Sequence, residues 1–282
     1  MEHKLSSLVQ LACALEACAP KPGNVNRYQD FYDTTLEDHL LSAASLAAAF
    51  ENTARKGVGH IVLDAAVKTR HWVRSNTNLG MILLFAPLAK ASLDAARLGG
   101  DIRRSLMSIL NSLSVEDARL AYAAIRLMQP GGIGEVAQAD ISMEPSITLL
   151  QAMALAQERD SIAREYVSGF AITFGIGLPA IKGAYARGGN YSGAIVQTFL
   201  TILSEVPDTL IARKKGNQPA QQVSQLAADV LGKGGVFTQE GQAGLREMDS
   251  VLRDKTHQLN PGTTADLTAA ATLLYLLETA PR

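Results

Sequence analysis

Two short segments carry the residue types best suited to chemistry: Lys21-Pro22-Gly23-Asn24-Val25 near the start, and Asn260-Pro261-Gly262-Thr263-Thr264-Ala265-Asp266 near the end. Both set a Pro-Gly turn, amides and charge directly beside apolar helical stretches. In the second, Pro-Gly makes a turn, a threonine can cap the helix that follows, and Asp266 falls in its first turn. Such a helix start collects unpaired N–H donors and the positive end of the helix dipole, and so suits an anion such as phosphate. The same pattern also fits a plain cap, with Asp266 serving only its own helix.

The wider loop around the first segment and four others also have the right composition. Residues 20–34 offer Lys21, Asn24, Asn26, Arg27, Asp30 and Asp33, groups suited to phosphate oxygens and to the water shell of Mg²⁺, or simply to a solvated loop. Ser75-Asn76-Thr77-Asn78 reads either as a cap or as a ribose-binding cluster. Gly131-Gly132-Ile133-Gly134-Glu135 is flexible enough to approach a phosphate, but no strand precedes it as a dinucleotide loop requires. Asp208-Thr209 stands one turn before Arg213-Lys214-Lys215, and Lys233-Gly234-Gly235 adds another cation. These could pair a polyphosphate with its metal, or form a solvated helix end. His257 stands alone before the last segment and reads as structural.

The elements that must position these groups are helices. Apolar residues recur at helical spacing almost throughout, and alternating β-branched runs are missing. The expected helices are 4–19, 35–55, 58–73, 78–98, 101–112, 115–129, 146–158, 161–187, 190–205, 208–215, 219–232, 239–254 and 264–279. The fold class is all-α: one single-domain multi-helix bundle over residues 1–282, with a ligand site where interhelical loops converge at one end. The 282 residues are 47% hydrophobic and 19% charged, enough to bury a full core. A formal charge of −1 supplies no overall field for nucleic acid or an anionic membrane, so any phosphate site is local. Cys13 and Cys18, five apart on one helix, cannot pair and read as thiols of a reducing compartment. The N-terminus carries no signal-peptide pattern, and the apolar stretch from Tyr166 to Ile181 is too short to span a bilayer. A soluble cytoplasmic protein is expected.

Taken in order, Lys21-Pro22-Gly23, Asn76-Thr77, Gly134-Glu135, Asp208-Thr209, Lys233-Gly234-Gly235 and Asn260 through Leu267 resemble the triphosphoribosyl-dephospho-coenzyme A synthase family, from about residue 5 to residue 277. The resemblance implies an all-helical enzyme that breaks the N-glycosidic bond of ATP, releases adenine and joins the triphosphoribosyl group to a hydroxyl of dephospho-coenzyme A. It implies Mg²⁺ as cofactor, ATP and dephospho-coenzyme A as partners, and room for a homodimer. Asp30, Asp208 and Asp266 are the expected catalytic and metal-binding carboxylates. Lys21, Asn24, Asn76, Thr77, Asn78, Glu135, Arg213, Lys214, Lys215, Lys233, Asn260, Gly262, Thr263 and Thr264 are expected to bind the nucleotide.

Two departures mark a divergent branch. The family's Thr-His-Lys-Gly stands here as Thr77-Asn78-Leu79-Gly80, and its histidine- and aspartate-containing stretch after the first Pro-Gly is replaced by Asn24 through Phe31. The acceptor is therefore open. It is dephospho-coenzyme A, or with the same nucleotide site another molecule such as the precursor of a one-carbon carrier cofactor. A non-catalytic nucleotide-binding scaffold is the alternative from another class.

Overall fold

The computed structural model describes residues 2–130, 141–253 and 256–280. Fourteen α-helices run through them: α1 (Glu2–Cys18), α2 (Leu36–Ala49), α3 (Val58–Trp72), α4 (Leu79–Leu98), α5 (Ile102–Asn111), α6 (Val115–Met128), α7 (Leu149–Ala156), α8 (Ser161–Ser168), α9 (Leu178–Gly188), α10 (Tyr191–Glu205), α11 (Thr209–Lys215), α12 (Asn217–Gly232), α13 (Gln239–Leu252) and α14 (Gly262–Thr279). No strand occurs among the described residues. The all-α expectation holds.

Two apolar clusters form the interior. One is built from α1 to α8, the other chiefly from α9 to α13. α14 belongs to both, giving Leu267, Ala270 and Leu273 to the first and Ala265, Leu274 and Tyr275 to the second. A helix apolar all round is stable only when enclosed, and α14 is the spine that both groups of helices enclose. Its start is thereby pinned from both sides.

α4 is the second buried helix. It is the one described helix long and apolar enough by composition to cross a membrane, whereas the sequence reading singled out 166–181 as the most apolar stretch. Here most of its surface is covered by other helices, with Pro87 buried inside it.

The expected helix 161–187 is a correction. The chain turns by 89° after Ser168, because Gly169 and Phe170 both take left-handed backbone, φ 66° and 59°. Glu165 makes the break stable: its buried carboxylate accepts the N–H groups of Ile172 and Thr173 at 2.8 and 2.9 Å, so the new helix starts on a side chain from the old one. A π-turn, Thr173–Gly177, then leads into α9. Helical apolar spacing continues on both sides of the corner, and Ser168 with Gly169, which interrupt the apolar run there, are the only local mark of it in the sequence. The expected helix 35–55 likewise stops at Ala49, and a short 3₁₀ turn at Thr53–Arg55 follows left-handed Asn52.

Candidate active site

The two opening segments touch each other. Gly23 takes φ 70° because the chain must turn where a Cβ would stand 2.8 Å from that of Leu252. Its N–H donates to Asp249 of α13 at 2.8 Å, and Arg253 is paired with the same carboxylate. From the far end of the chain, the Asn260 amide donates to the Gly23 carbonyl at 2.9 Å. The loops that begin and end the molecule's polar pattern are thus latched over 237 residues of separation.

Beside the latch lies a cavity of about 450 Å³. Four helices start at it: α4, α8, α11 and α14. Helix starts present N–H donors and partial positive charge, and at this cavity carboxylates answer them. Asp160 caps α8 through the N–H of Ile162 at 2.8 Å and holds Arg213 at 2.8 Å. Asp208 serves two helices. One oxygen accepts from Leu210 and Ile211 of α11 at 2.9 and 3.0 Å, and the other accepts the N–H and hydroxyl of Thr264 in α14 at 2.7 and 2.8 Å.

Asp266 stands at the start of α4, where the Met81 N–H donates to it. Its carboxyl lies flat against Gly80, and a Cβ there would fall 2.0 Å from Oδ2. Gly80 is what lets the two helices approach. Burial pushes the Asp266 carboxyl well above the usual carboxylate range, and the negative charges of Glu16, Asp208 and Asp160 push it further. For Asp208, burial also raises the carboxyl, but four donors oppose it.

Of the expected nucleotide-binding residues, Lys21, Asn24, Asn76, Thr77 and Asn78 line the cavity, as do Arg213, Lys214, Asn260, Gly262 and Thr263. Their local roles differ from those expected. Lys21 is 1% exposed, ion-paired with Glu16 of α1 at 2.9 Å, and bonded to the carbonyls of Glu16 and Ala19. Its ammonium is thus already paired inside the protein, although the residue lines the cavity as expected of a phosphate-binding group. Asn76 caps α4 by accepting the Leu79 N–H at 3.2 Å, and Thr77 bonds Ser42 of α2 at 2.6 Å. Lys214 reaches the His257 carbonyl at 3.4 Å.

Five expected residues are not brought to the cavity wall. Asp208 is 1% exposed behind it and Thr264 faces Asp208, both used on helix starts. Asp30 caps the chain at Leu36, its carboxylate 2.7 Å from that N–H. Lys215 ends α11 facing elsewhere, and Lys233 ends α12, where its carbonyl accepts the Thr238 hydroxyl. Glu135 lies outside the described residues, although Gln129 and Pro130, which lead towards it, line the cavity. Asp30, Asp208 and Asp266 are not gathered as one metal triad. Among the described residues no three Asp, Glu, His or Cys side chains are disposed around one point for a metal.

Sequence reasoning missed Glu16, His39 and Asp160 and took His257 as structural, yet all four line the cavity. Glu16 had a signal, since it continues the apolar stripe Leu5, Val9, Ala12, Cys13 with a charge. His39 likewise sits on the face of α2 that carries buried Ser42, Ala43 and Leu46. Burial, then the Lys21 charge, lowers the His39 imidazole to about 4, so it is neutral at pH 7. His257 takes left-handed backbone, φ 49°, and stacks on Phe31 with ring centroids 3.7 Å apart.

Several buried polar atoms on this wall have no hydrogen-bond partner: Asn78 Oδ1, Arg213 Nε and both ring nitrogens of His257, whose Nε2 lies 3.9 Å from the Asp33 carboxylate. An unpaired buried polar atom costs about 1–3 kcal/mol, so a wall that carries several is shaped for something that pairs them. The model of one family, ATP:dephospho-CoA triphosphoribosyl transferase, matches residues 2–282. The chain belongs to this family.

A probable 2-(5''-triphosphoribosyl)-3'-dephosphocoenzyme-A synthase of Vibrio cholerae is 34% identical over 113 residues, 40% of this chain and 36% of the relative. The 2-(5''-triphosphoribosyl)-3'-dephosphocoenzyme-A synthase of Klebsiella pneumoniae is 29% identical over 99 residues, 35% of each chain. The match thus spans little more than a third of these relatives' own length. A crystal structure from Archaeoglobus fulgidus, provisionally named triphosphoribosyl-dephospho-CoA synthase, superimposes with a TM-score of 0.67 at 28% identity, covering 87% of this chain and 99% of that one.

Proposed function

We propose that the protein transfers the triphosphoribosyl group of ATP to a hydroxyl of dephospho-coenzyme A and releases adenine. One observation carries the reading: three of the segments on which the family resemblance rests, those around Lys21, Asn76 and Asn260, separated by up to 237 residues, close on a single cavity whose polar wall is incompletely paired. Its volume lies within the usual range for small-molecule sites, roughly 300–1,000 Å³.

In the transfer, the bond between the ribose anomeric carbon and the adenine nitrogen breaks, and its electron pair leaves with the base. The acceptor oxygen bonds to that carbon and gives up its proton, while the base takes one up. Asp266 suits proton delivery to the base, because burial and neighbouring carboxylates favour its protonated form and Met81 holds one oxygen in place. Arg213 and Lys214 are cations on the cavity wall and suit triphosphate oxygens. Mg²⁺ is usually held by one or two carboxylates together with substrate phosphates, and Asp33, an exposed lining carboxylate, fits that use. Bound there it would neutralise triphosphate charge. We take the chain as one catalytic unit working in the cytoplasm, where ATP is at hand.

The test is incubation with Mg²⁺, ATP and dephospho-coenzyme A, followed by chromatography for adenine and mass spectrometry of the acceptor. Free adenine and an acceptor heavier by one triphosphoribosyl group are expected. Adenine release with the acceptor unchanged would overturn the choice of acceptor, and no adenine at all would overturn the transfer.

A further inference from the structure

Asn78 occupies the N-cap position of α4, where an asparagine ordinarily spends its side-chain oxygen on the helix's own N–H groups. It makes no such bond: the Leu79 N–H goes to Asn76, and the Met81 N–H, in the third helical position, goes to Asp266. Its amide nitrogen instead donates to the hydroxyl of Thr69 on α3 at 3.2 Å, which fixes the amide plane. The residue is 2% exposed, lines the cavity, and its Oδ1 has no partner. The fold thus relieves Asn78 of capping, orients it from behind and leaves one acceptor unused at the site.

The chemistry of that atom limits what it can meet. A triphosphate presents acceptors only, and would face an acceptor with repulsion; Arg213 Nε, a donor without a hydrogen-bond partner on the same wall, suits phosphate instead. In a ribonucleoside triphosphate the N–H and O–H donors belong to the base and the ribose. We infer that Asn78 is a specificity-determining residue that accepts a hydrogen bond from the nucleoside end of the donor nucleotide, either from the purine 6-amino group or from a ribose hydroxyl. The inference rests on the transferase reading and adds to it the end of the nucleotide that lies against α4.

The experiment is calorimetric binding to the full chain, wild type and Asn78→Leu, of ATP, inosine triphosphate, 2′-deoxy-ATP, 3′-deoxy-ATP and inorganic triphosphate, each with Mg²⁺. Leucine keeps the shape and removes the acceptor. Expected is a loss of about tenfold to a hundredfold for ATP, the scale of a buried hydrogen bond, with inorganic triphosphate unchanged. If the donor is the 6-amino group, the wild type also binds inosine triphosphate more weakly and Asn78→Leu adds nothing. If it is a ribose hydroxyl, the matching deoxy nucleotide shows that pattern.

Unchanged ATP affinity in Asn78→Leu overturns the inference. So does an equal loss for inorganic triphosphate, which an amide presenting its NH₂ to phosphate would produce. Should Asn78→Leu not fold, Thr69→Val frees the amide while keeping Asn78, and the wild-type series alone decides. Equal affinity for all four nucleotides overturns the contact. A wild type that binds none of them overturns the transferase reading with it, whereas every other failure leaves that reading standing.

Discussion

The starts of α11 and α14 and the start of α4 face the same cavity, yet they treat their polar groups in opposite ways. At α11 and α14, Asp208 closes the account: four donors meet its two oxygens and nothing is left over. At α4, Asn76 does the capping, Asn78 keeps a free oxygen, and Asp266 lies over Gly80 with one backbone donor and three carboxylates near enough to oppose its charge. A saturated helix start holds the fold together. An unsaturated one costs stability, and under the proposed transferase reading that is where a ligand would bond.

The sharpest way to break this contrast is Asp266→Asn. Asparagine keeps the shape and can still accept from Met81, but holds no transferable proton, so turnover should fall about 10²–10⁴-fold, the range of general-acid catalysis. Stability should move the other way. In the unfolded chain this carboxyl ionises above about pH 4, while the folded protein keeps its proton to higher pH, so stability drains away as pH rises and the variant melts higher than wild type at pH 7. Unchanged turnover with a lower melting temperature would return Asp266 to a purely structural part.

Next in size is Lys21→Met. The sequence alone suggested weaker nucleotide binding, but the Glu16 ion pair is fully buried, so the variant strands a carboxylate and should lose about 3–5 kcal/mol of stability in denaturant titration. Glu16→Gln added to it should restore much of the loss. A stable single variant whose only defect is in Mg-ATP affinity would reinstate the free-cation reading.

Asp208→Ala should cost about 2–4 kcal/mol, two helix caps with their donors left unpaired, and any fall in kcat should follow the folded fraction. Near-normal stability with lost activity would place Asp208 with Asp266. The smallest effect belongs to His39. Its folded-state imidazole titrates at about 4, below the unfolded value of about 6.5, so the unfolded chain binds more protons between them and stability falls as pH drops through that window. His39→Gln should flatten that part of the melting-temperature profile, and an unchanged slope would remove His39 from the buried wall.

Much of the site was legible because chemistry concentrates at helix ends and Pro-Gly turns, which punctuation residues mark. Lys21, Asn78, Arg213, Asn260 and Asp266 all reach the cavity from segments read that way. What each one does was less legible. Asp208 and Asp266 have the same side chain beside similar threonines, and only the presence of Thr264 in front of one and Gly80 beneath the other separates a carboxylate saturated with donors from one that is not. Glu16 and His39 were visible as polar residues on apolar stripes, but their link to Lys21 crosses from α1 and α2 into a loop and leaves no spacing to read.

By itself the sequence determined the helical class, nearly all the helix positions and the membership in a family, because these depend on local periodicity, capping residues and short ordered motifs. Only the tertiary structure decided the 89° corner after Ser168, where left-handed Gly169 and Phe170 turn the chain and the buried Glu165 carboxylate holds the start of the next helix. It alone decided, too, which polar atoms are spent and which are spare. Burial and pairing belong to groups hundreds of residues apart, and a hydrogen bond such as Asn260 to Gly23 exists only once the intervening helices have packed.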